Sequence, residues 1–267
     1  MLVDIDRVTA ILAEVAAAEI LPRFRALEAD DIAHKPGGEV VTAADEAAEA
    51  ALCRALTDLL PGSAFVGEEA VAKDAAVLDR LSEDDPVWIV DPVDGTSNFA
   101  EGVPVFAVMA ALVQRGRILA AWIHDPIGAR TATAEAGAGA WMAGRRLTAA
   151  AAGSLQDMHG TLHASSFAPP ELARQVRARR ERLQTIKSLR CAGQEYIRLA
   201  SGEMHFSLFT KLAPWDHAPG ALIHREAGGT GQMLNGATYD PVRPKRGILL
   251  APDAASWRAL HGALFAD

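Results

Sequence analysis

Two aspartates three residues apart, Asp91 and Asp94, stand in the run Asp91-Pro92-Val93-Asp94-Gly95-Thr96-Ser97-Asn98-Phe99, directly behind the apolar residues 87–90. The apolar run suits a buried strand, and Pro92 and Gly95 turn the chain where the acids appear. Two carboxylates aimed at one small volume repel each other unless a cation lies between them. The cation that suits such oxygens is a hard divalent ion, Mg²⁺ first among them. With the hydroxyls of Thr96 and Ser97 following at once, the stretch reads as a metal and phosphate loop. The same letters also describe an ordinary turn, in which Asp bonds the following backbone and Gly takes a positive φ.

Three further stretches carry acids with both a structural and a chemical reading. Thr42 is a good helix N-cap, and Asp45 stands where a capping-box acid would. Glu68 and Glu69 follow a short apolar run and Gly67, where paired acids are often simply solvated. Asp216, in Pro214-Trp215-Asp216-His217, opens a helix that it could cap.

In their order along the chain, Val41-Thr42-Ala43-Ala44-Asp45, Gly67-Glu68-Glu69, the Asp91 to Phe99 loop, and Trp215-Asp216 with Glu226-Ala227-Gly228-Gly229 resemble the signature motifs of the inositol monophosphatase family. The resemblance implies a layered αβαβα sugar-phosphatase fold of the α/β (α+β) class. It implies a Mg²⁺-dependent phosphomonoesterase, often a homodimer and commonly inhibited by Li⁺, acting on a small phosphorylated substrate. Residue by residue, it implies that Glu68, Asp91 and the carbonyl of Val93 hold one metal and that Asp91, Asp94 and Asp216 hold a second. It further implies that Thr96, bonded to Asp45 and helped by Glu68, activates water, while the N–H groups of Gly95 and Thr96, supported by Ser97, hold phosphate oxygens.

Departures from that pattern bear on the substrate. A gap-free count back from Trp215 lands on Phe209, where inositol-specific members carry Glu; Lys211 stands close by, Arg190 replaces a Gly, and Pro219 replaces a small residue. Arg190 and Lys211 suggest a second negative charge on the substrate, as in a sugar bisphosphate or a nucleotide 3′-phosphate. Histidinol phosphate, a cation, suits those charges less well. Arg190 could instead pair with a neighbouring acid. A metal- and phosphate-binding regulator without turnover is the reading of a different class, against which stands the complete set of acids.

The elements that must position these residues follow from periodicity. Ile5, Val8, Ile11, Leu12, Val15 and Ile20 recur at helical spacing, and Pro22 should end or kink that helix. A strand at 31–34 and a loop at 35–39 come next; its Lys35 either closes over a phosphate or is a solvated turn residue. A helix from 43 to the stop at Pro61-Gly62, a strand at 64–67, a helix over 71–82 and the strand at 87–90 lead into the loop. An antiparallel hairpin over 105–123, with Arg115-Gly116 as its turn, and a third strand at 130–134 follow. The composition change at 149–153 marks the expected boundary between an N-terminal half, 1–148, and a C-terminal half, 149–267. In the second half, strands at 160–164, 185–189, 204–208 and 247–250 alternate with helices at 171–183, 191–199, from Pro214 to a stop at Gly228-Gly229, and 253–265. The Arg-rich face at 174–182 reads as solvated.

With 267 residues, half of them hydrophobic, the chain can bury a sizeable core. A formal charge of -8 argues against broad binding to a nucleic-acid polymer or an anionic membrane, and it requires bound cations to reverse the field around a phosphate ester. Cys53 and Cys191 lie in unrelated contexts and suggest neither a disulfide framework nor a zinc site; Cys53 reads as core. Acids interrupt the apolar residues near the N-terminus, so no signal peptide is expected, and the location expected is cytoplasmic.

Overall fold

The computed structural model describes residues 3–35, 38–163, 169–243 and 247–266. Helix α1 (Ile5–Val15) buries Val8, Ile11, Leu12 and Val15, the stripe its spacing predicts, and Asp4 caps it. Ahead of Pro22 the ladder widens to a π turn, Ala16–Ile20, and ends in a 3₁₀ turn, Leu21–Arg23. Pro22 cannot donate into the α ladder, which is the reason for the irregular end. A short hairpin, β1 (Ile32–His34) and β2 (Val40–Thr42), then leads into α2 (Ala43–Leu59). Pro36 and Gly37 of the expected 35–39 loop, and Ala164 of the expected 160–164 strand, lie outside the described residues.

The first sheet has seven strands in the order β3 (Ala64–Gly67), β4 (Val87–Asp94), β5 (Ala107–Gln114), β6 (Arg117–Asp125), β7 (Arg130–Glu135), β8 (Gly139–Met142), β9 (Arg145–Arg146). Between β3 and β4 the expected 71–82 helix is broken in two: α3 (Glu68–Lys73) stops at Asp74, whose side chain accepts the Ala76 N–H and starts a 3₁₀ segment, Ala75–Ser82. After β4, Gly95 in the left-handed conformation caps the single-turn helix α4 (Thr96–Ala100).

The second sheet has five strands in the order β11 (Gln184–Thr185), β10 (His159–His163), β12 (Phe206–Phe209), β14 (Ile248–Ala251), β13 (Thr230–Met233). Its helices are α5 (Pro170–Arg179), α6 (Ala192–Ala200), α7 (Pro214–Glu226) and α8 (Ala254–Phe265). The 185–189 strand is cut short, because the Leu189 N–H and the Ser188 hydroxyl are taken by the carboxylate of Glu195 rather than by a neighbouring strand.

Three cores result, and they define five layers. Trp88 and Val90 of β4 face α1 and α2 on one side of the first sheet. Val87 and Ile89 face the other way, into a core shared with α6, α7 and the second sheet. Beyond the second sheet, Leu249 and Ala251 pack on α5 and α8. The αβαβα order is therefore observed, and the middle helical layer is where the two sheets meet. No helix among the described residues is long and apolar enough to cross a membrane.

Candidate active site

A strand places alternate residues on opposite faces, so Asp91 and Asp94 in a regular strand would point apart. They do not, because β4 carries a bulge. Asp91 pairs with Met109 and Asp94 with Ala107, so three steps along β4 match two along β5 and both acids face the middle layer. Glu68 arrives from the end of β3 as the first residue of α3, and Asp216 lies in the first turn of α7. One carboxylate oxygen from each of Glu68, Asp91 and Asp216 lies within 4.8 Å of the others.

Local contacts aim each acid. Val93 N–H donates to Asp91 Oδ1 at 3.0 Å, the Asx turn that Pro92 favours. Glu49 of α2 reaches across to accept from the N–H groups of Glu69 and Ala70, both at 2.8 Å, and so caps α3 and steadies Glu68. Its carboxylate occupies the space in front of Gly67, where an added Cβ would lie 2.3 Å from Glu49 Oε2. Asp94 turns toward α6: Oδ1 accepts from Ala192 N–H at 3.1 Å, and Oδ2 from Gly193 N–H at 2.6 Å and Cys191 Sγ at 3.0 Å. It thereby satisfies donors at a helix N-terminus and stands beside the three-acid cluster rather than within it.

The electrostatics are those of buried like charges that outnumber the cations beside them. Burial, then the charges of Glu68, Asp94 and Asp216, push the Asp91 carboxyl well above the usual range. Asp216 is raised by burial and by Glu68 and Asp94. Burial raises Asp94 to about 6, against the lowering effect of its bonds from Cys191, Gly193 and Ala192. Lys35 Nζ sits 2.6 Å from Glu68 and 2.8 Å from Glu69, a cation already drawn to the edge of the cluster. Lys35 is therefore seated on these acids rather than solvated. An all-oxygen donor set of this charge fits a hard divalent cation.

The cleft above these acids has a volume of about 340 Å³ and is lined also by Val93, Gly95, Thr96 and Ser97. Thr96 Oγ1 lies 3.2 Å from Asp45 Oδ1 and 2.9 Å from the Val93 carbonyl, so its one proton is shared between two acceptors. Asp45 also closes the capping box, its Oδ2 accepting from Thr42 N–H at 2.8 Å and Thr42 Oγ1 at 2.6 Å. Its two oxygens thus serve the helix cap and the cleft at once. Burial raises its carboxyl to about 7 in spite of the bonds from Thr42.

At the mouth, Arg190 and Lys211 line the cleft, and each already holds an acid. The Arg190 guanidinium grips both oxygens of Glu101 at 2.8 Å, from a backbone held at φ 55°. Lys211 Nζ is bonded to Glu39. Glu101 and Glu39 carried no signal in the sequence reading. Nor did Glu195, wholly buried, which accepts from Thr161, His163, Ser188 and the Leu189 N–H. A Glu on the apolar side of α6 was the available clue.

The sequence model of the inositol monophosphatase family matches residues 4–267. The chain belongs to the inositol monophosphatase family. Its relatives include an inositol-1-monophosphatase of Mesorhizobium japonicum, 34% identical over 205 residues that cover 76% of this chain and 75% of the relative. The Nus factor SuhB of Pseudomonas aeruginosa is 34% identical over 265 residues, 94% of this chain and 92% of that one. Among solved structures, the extragenic suppressor protein suhB of Bartonella henselae superposes with a TM-score of 0.81 at 26% identity, over 98% of this chain and 96% of that one. This family of phosphatases is metal-dependent, in keeping with the acidic cluster found here.

Proposed function

We propose that the protein is a Mg²⁺-dependent phosphomonoesterase acting on a small sugar, polyol or nucleotide phosphate. The observation that carries this reading is the convergence of Glu68, Asp91 and Asp216 in one cleft beside a Thr96 hydroxyl held by Asp45. Glu68, Asp91 and the Val93 carbonyl would hold one divalent ion, and Asp91, Asp94 and Asp216 a second. Such ions supply Lewis acidity and lower the pKa of water. The chain's own part is positional. The N–H groups of Gly95 and Thr96, with Ser97, hold phosphate oxygens over the acids; Asp45 keeps the Thr96 hydroxyl in place, and Thr96 with Glu68 orients water, the Thr96 hydroxyl passing its own proton to Asp45 as it accepts the water's. On the same reading the enzyme is a cytoplasmic homodimer inhibited by Li⁺.

Arg190 and Lys211 favour a second reading of the substrate, a bisphosphorylated sugar or nucleotide, because both line the cleft. Such a substrate must displace Glu101 or Glu39 to be read. Rates of phosphate release across a panel of monoesters and bisphosphates, measured with Mg²⁺ on wild type and Asp94→Asn, test both readings. Turnover that Asp94→Asn removes is expected. No release from any ester, with Asp94→Asn indistinguishable from wild type, would leave the protein a metal- and phosphate-binding regulator.

A further inference from the structure

Asp216 is delivered by a helix turn with little local support. Helix α7 starts at Pro214, and its N-cap, Ala213, offers no side-chain bond to the first turn. A helix start usually has its free N–H groups held by a Ser, Thr, Asp or Asn side chain. The turn that carries Trp215 and Asp216 lacks that support, and its local help is the fixed φ of Pro214 at the helix start.

Its fastening comes from α6. Tyr196, wholly buried, drives its ring against the α7 backbone so closely that a Cβ on Gly220 would lie 2.1 Å from it. The ring stacks on Phe209 of β12 at 5.4 Å between centroids. Its hydroxyl lies 3.1 Å from Nδ1 of His217, the residue after Asp216, and His217 Nε2 lies 2.9 Å from the Lys211 carbonyl. A carbonyl only accepts, so Nε2 carries the proton; in a neutral ring Nδ1 is then the acceptor and the Tyr196 O–H donates. The two bonds form one directed chain from α6, through the residue beside Asp216, to the turn that bears Lys211.

We infer that Tyr196 and His217 are positioning residues for Asp216, holding its carboxylate at the distance from Glu68 and Asp91 that a divalent ion requires. The inference rests on the metal-site reading above. Outer partners that orient a ligand typically change metal affinity by about 10- to 100-fold when removed. Neither side chain lines the cleft.

The test uses the full chain and Mn²⁺ alone, with bound ion read by electron paramagnetic resonance and thermal stability measured alongside. Tyr196→Phe keeps the ring and its stack on Phe209 and removes only the donor. It is expected to weaken Mn²⁺ binding by about tenfold, with kcat recovered at high Mg²⁺ and the KM for ester little changed. His217→Gln, which keeps a donor for the Lys211 carbonyl, should lie between wild type and His217→Phe. Wild-type Mn²⁺ affinity in Tyr196→Phe and His217→Phe, with Asp216→Asn abolishing binding, would overturn the positioning role and leave the metal site standing. Wild-type affinity in Asp216→Asn would overturn the metal-site reading and the inference with it.

Discussion

The floor and the mouth of the cleft are both built from charged side chains, yet they obey different physics. At the mouth, each cation has its own acid: Arg190 with Glu101, Lys211 with Glu39, with side chains about half exposed. Water screens such pairs, although Lys211 and Glu39 also act, in opposite senses, on the Asp216 carboxyl below them. On the floor, three carboxylates converge within 4.8 Å, Asp91 at 2% exposure, with Lys35 beside Glu68 at the edge and Lys211 acting on Asp216 from the mouth. Two like charges about 5 Å apart repel by roughly 3 kcal/mol at an effective dielectric near 20. Folding tolerates that repulsion only through protonation or a bound cation. Charge alone therefore does not mark a site; unanswered charge does.

The contrast is broken most directly by neutralising the floor. Asp91→Asn and Asp216→Asn should each lower phosphate release by roughly a thousandfold or more, read as kcat/KM with Mg²⁺ saturating. Near-wild-type rates in either variant would mean that these acids are packed for structure alone.

A second test uses pH. Metal-free, Asp94 is raised from 3.8 to about 6 and Asp45 to about 7, so between pH 4 and 7 the folded chain keeps protons that the unfolded chain has released. Stability from these groups accordingly falls as pH rises through that window. Burial lowers His224 to about 4, which acts in the opposite sense, stability rising from pH 4 to 6.5, but equally with and without metal. The gain in melting temperature on adding Mg²⁺ should therefore grow from pH 4 to pH 7, reaching several degrees at a hundred times Kd, where the stabilisation is about 2.7 kcal/mol. A gain independent of pH would disconnect the ion from these carboxylates.

The smallest effect belongs to the mouth. Arg190→Ala should leave melting temperature and the turnover of a singly phosphorylated ester unchanged, since the pair it breaks is exposed. In Glu101→Gln, freed of its acid, Arg190 should favour bisphosphorylated esters more than in wild type. A selective loss on bisphosphates in Arg190→Ala would move that arginine from the mouth into the site.

What was legible in the sequence was local. The β4 run, the Gly95 turn and the Thr42–Asp45 capping box all lie within a few residues of one another, so turn chemistry and capping rules reach them. The irregular end of α1 followed from Pro22 in the same way. What escaped were bonds between distant elements: Glu49 capping α3, the first turn of α6 turned onto Asp94, Glu195 of α6 accepting from Thr161 of β10. Each involves a polar side chain whose partner is brought near only by the packing of layers, so no spacing rule announces it. The bulge that puts Asp91 and Asp94 on one face is intermediate: Pro92 hints at an interruption, but pairing with β5 is needed to place it.

The acids of the floor come from far apart in the chain, Glu68 from the start of α3, Asp91 from β4 of the first sheet and Asp216 from α7 in the helix layer between the sheets. A cation gripped by all three would act as a reversible cross-link, closing a loop that runs from residue 68 to residue 216. Loop closure of that length removes much of the unfolded chain's freedom, and each further doubling of the loop would add only about 0.6 kcal/mol. The ion would thus tie the first turn of α7 to the end of β4 and the start of α3, fastening the middle layer to the first sheet.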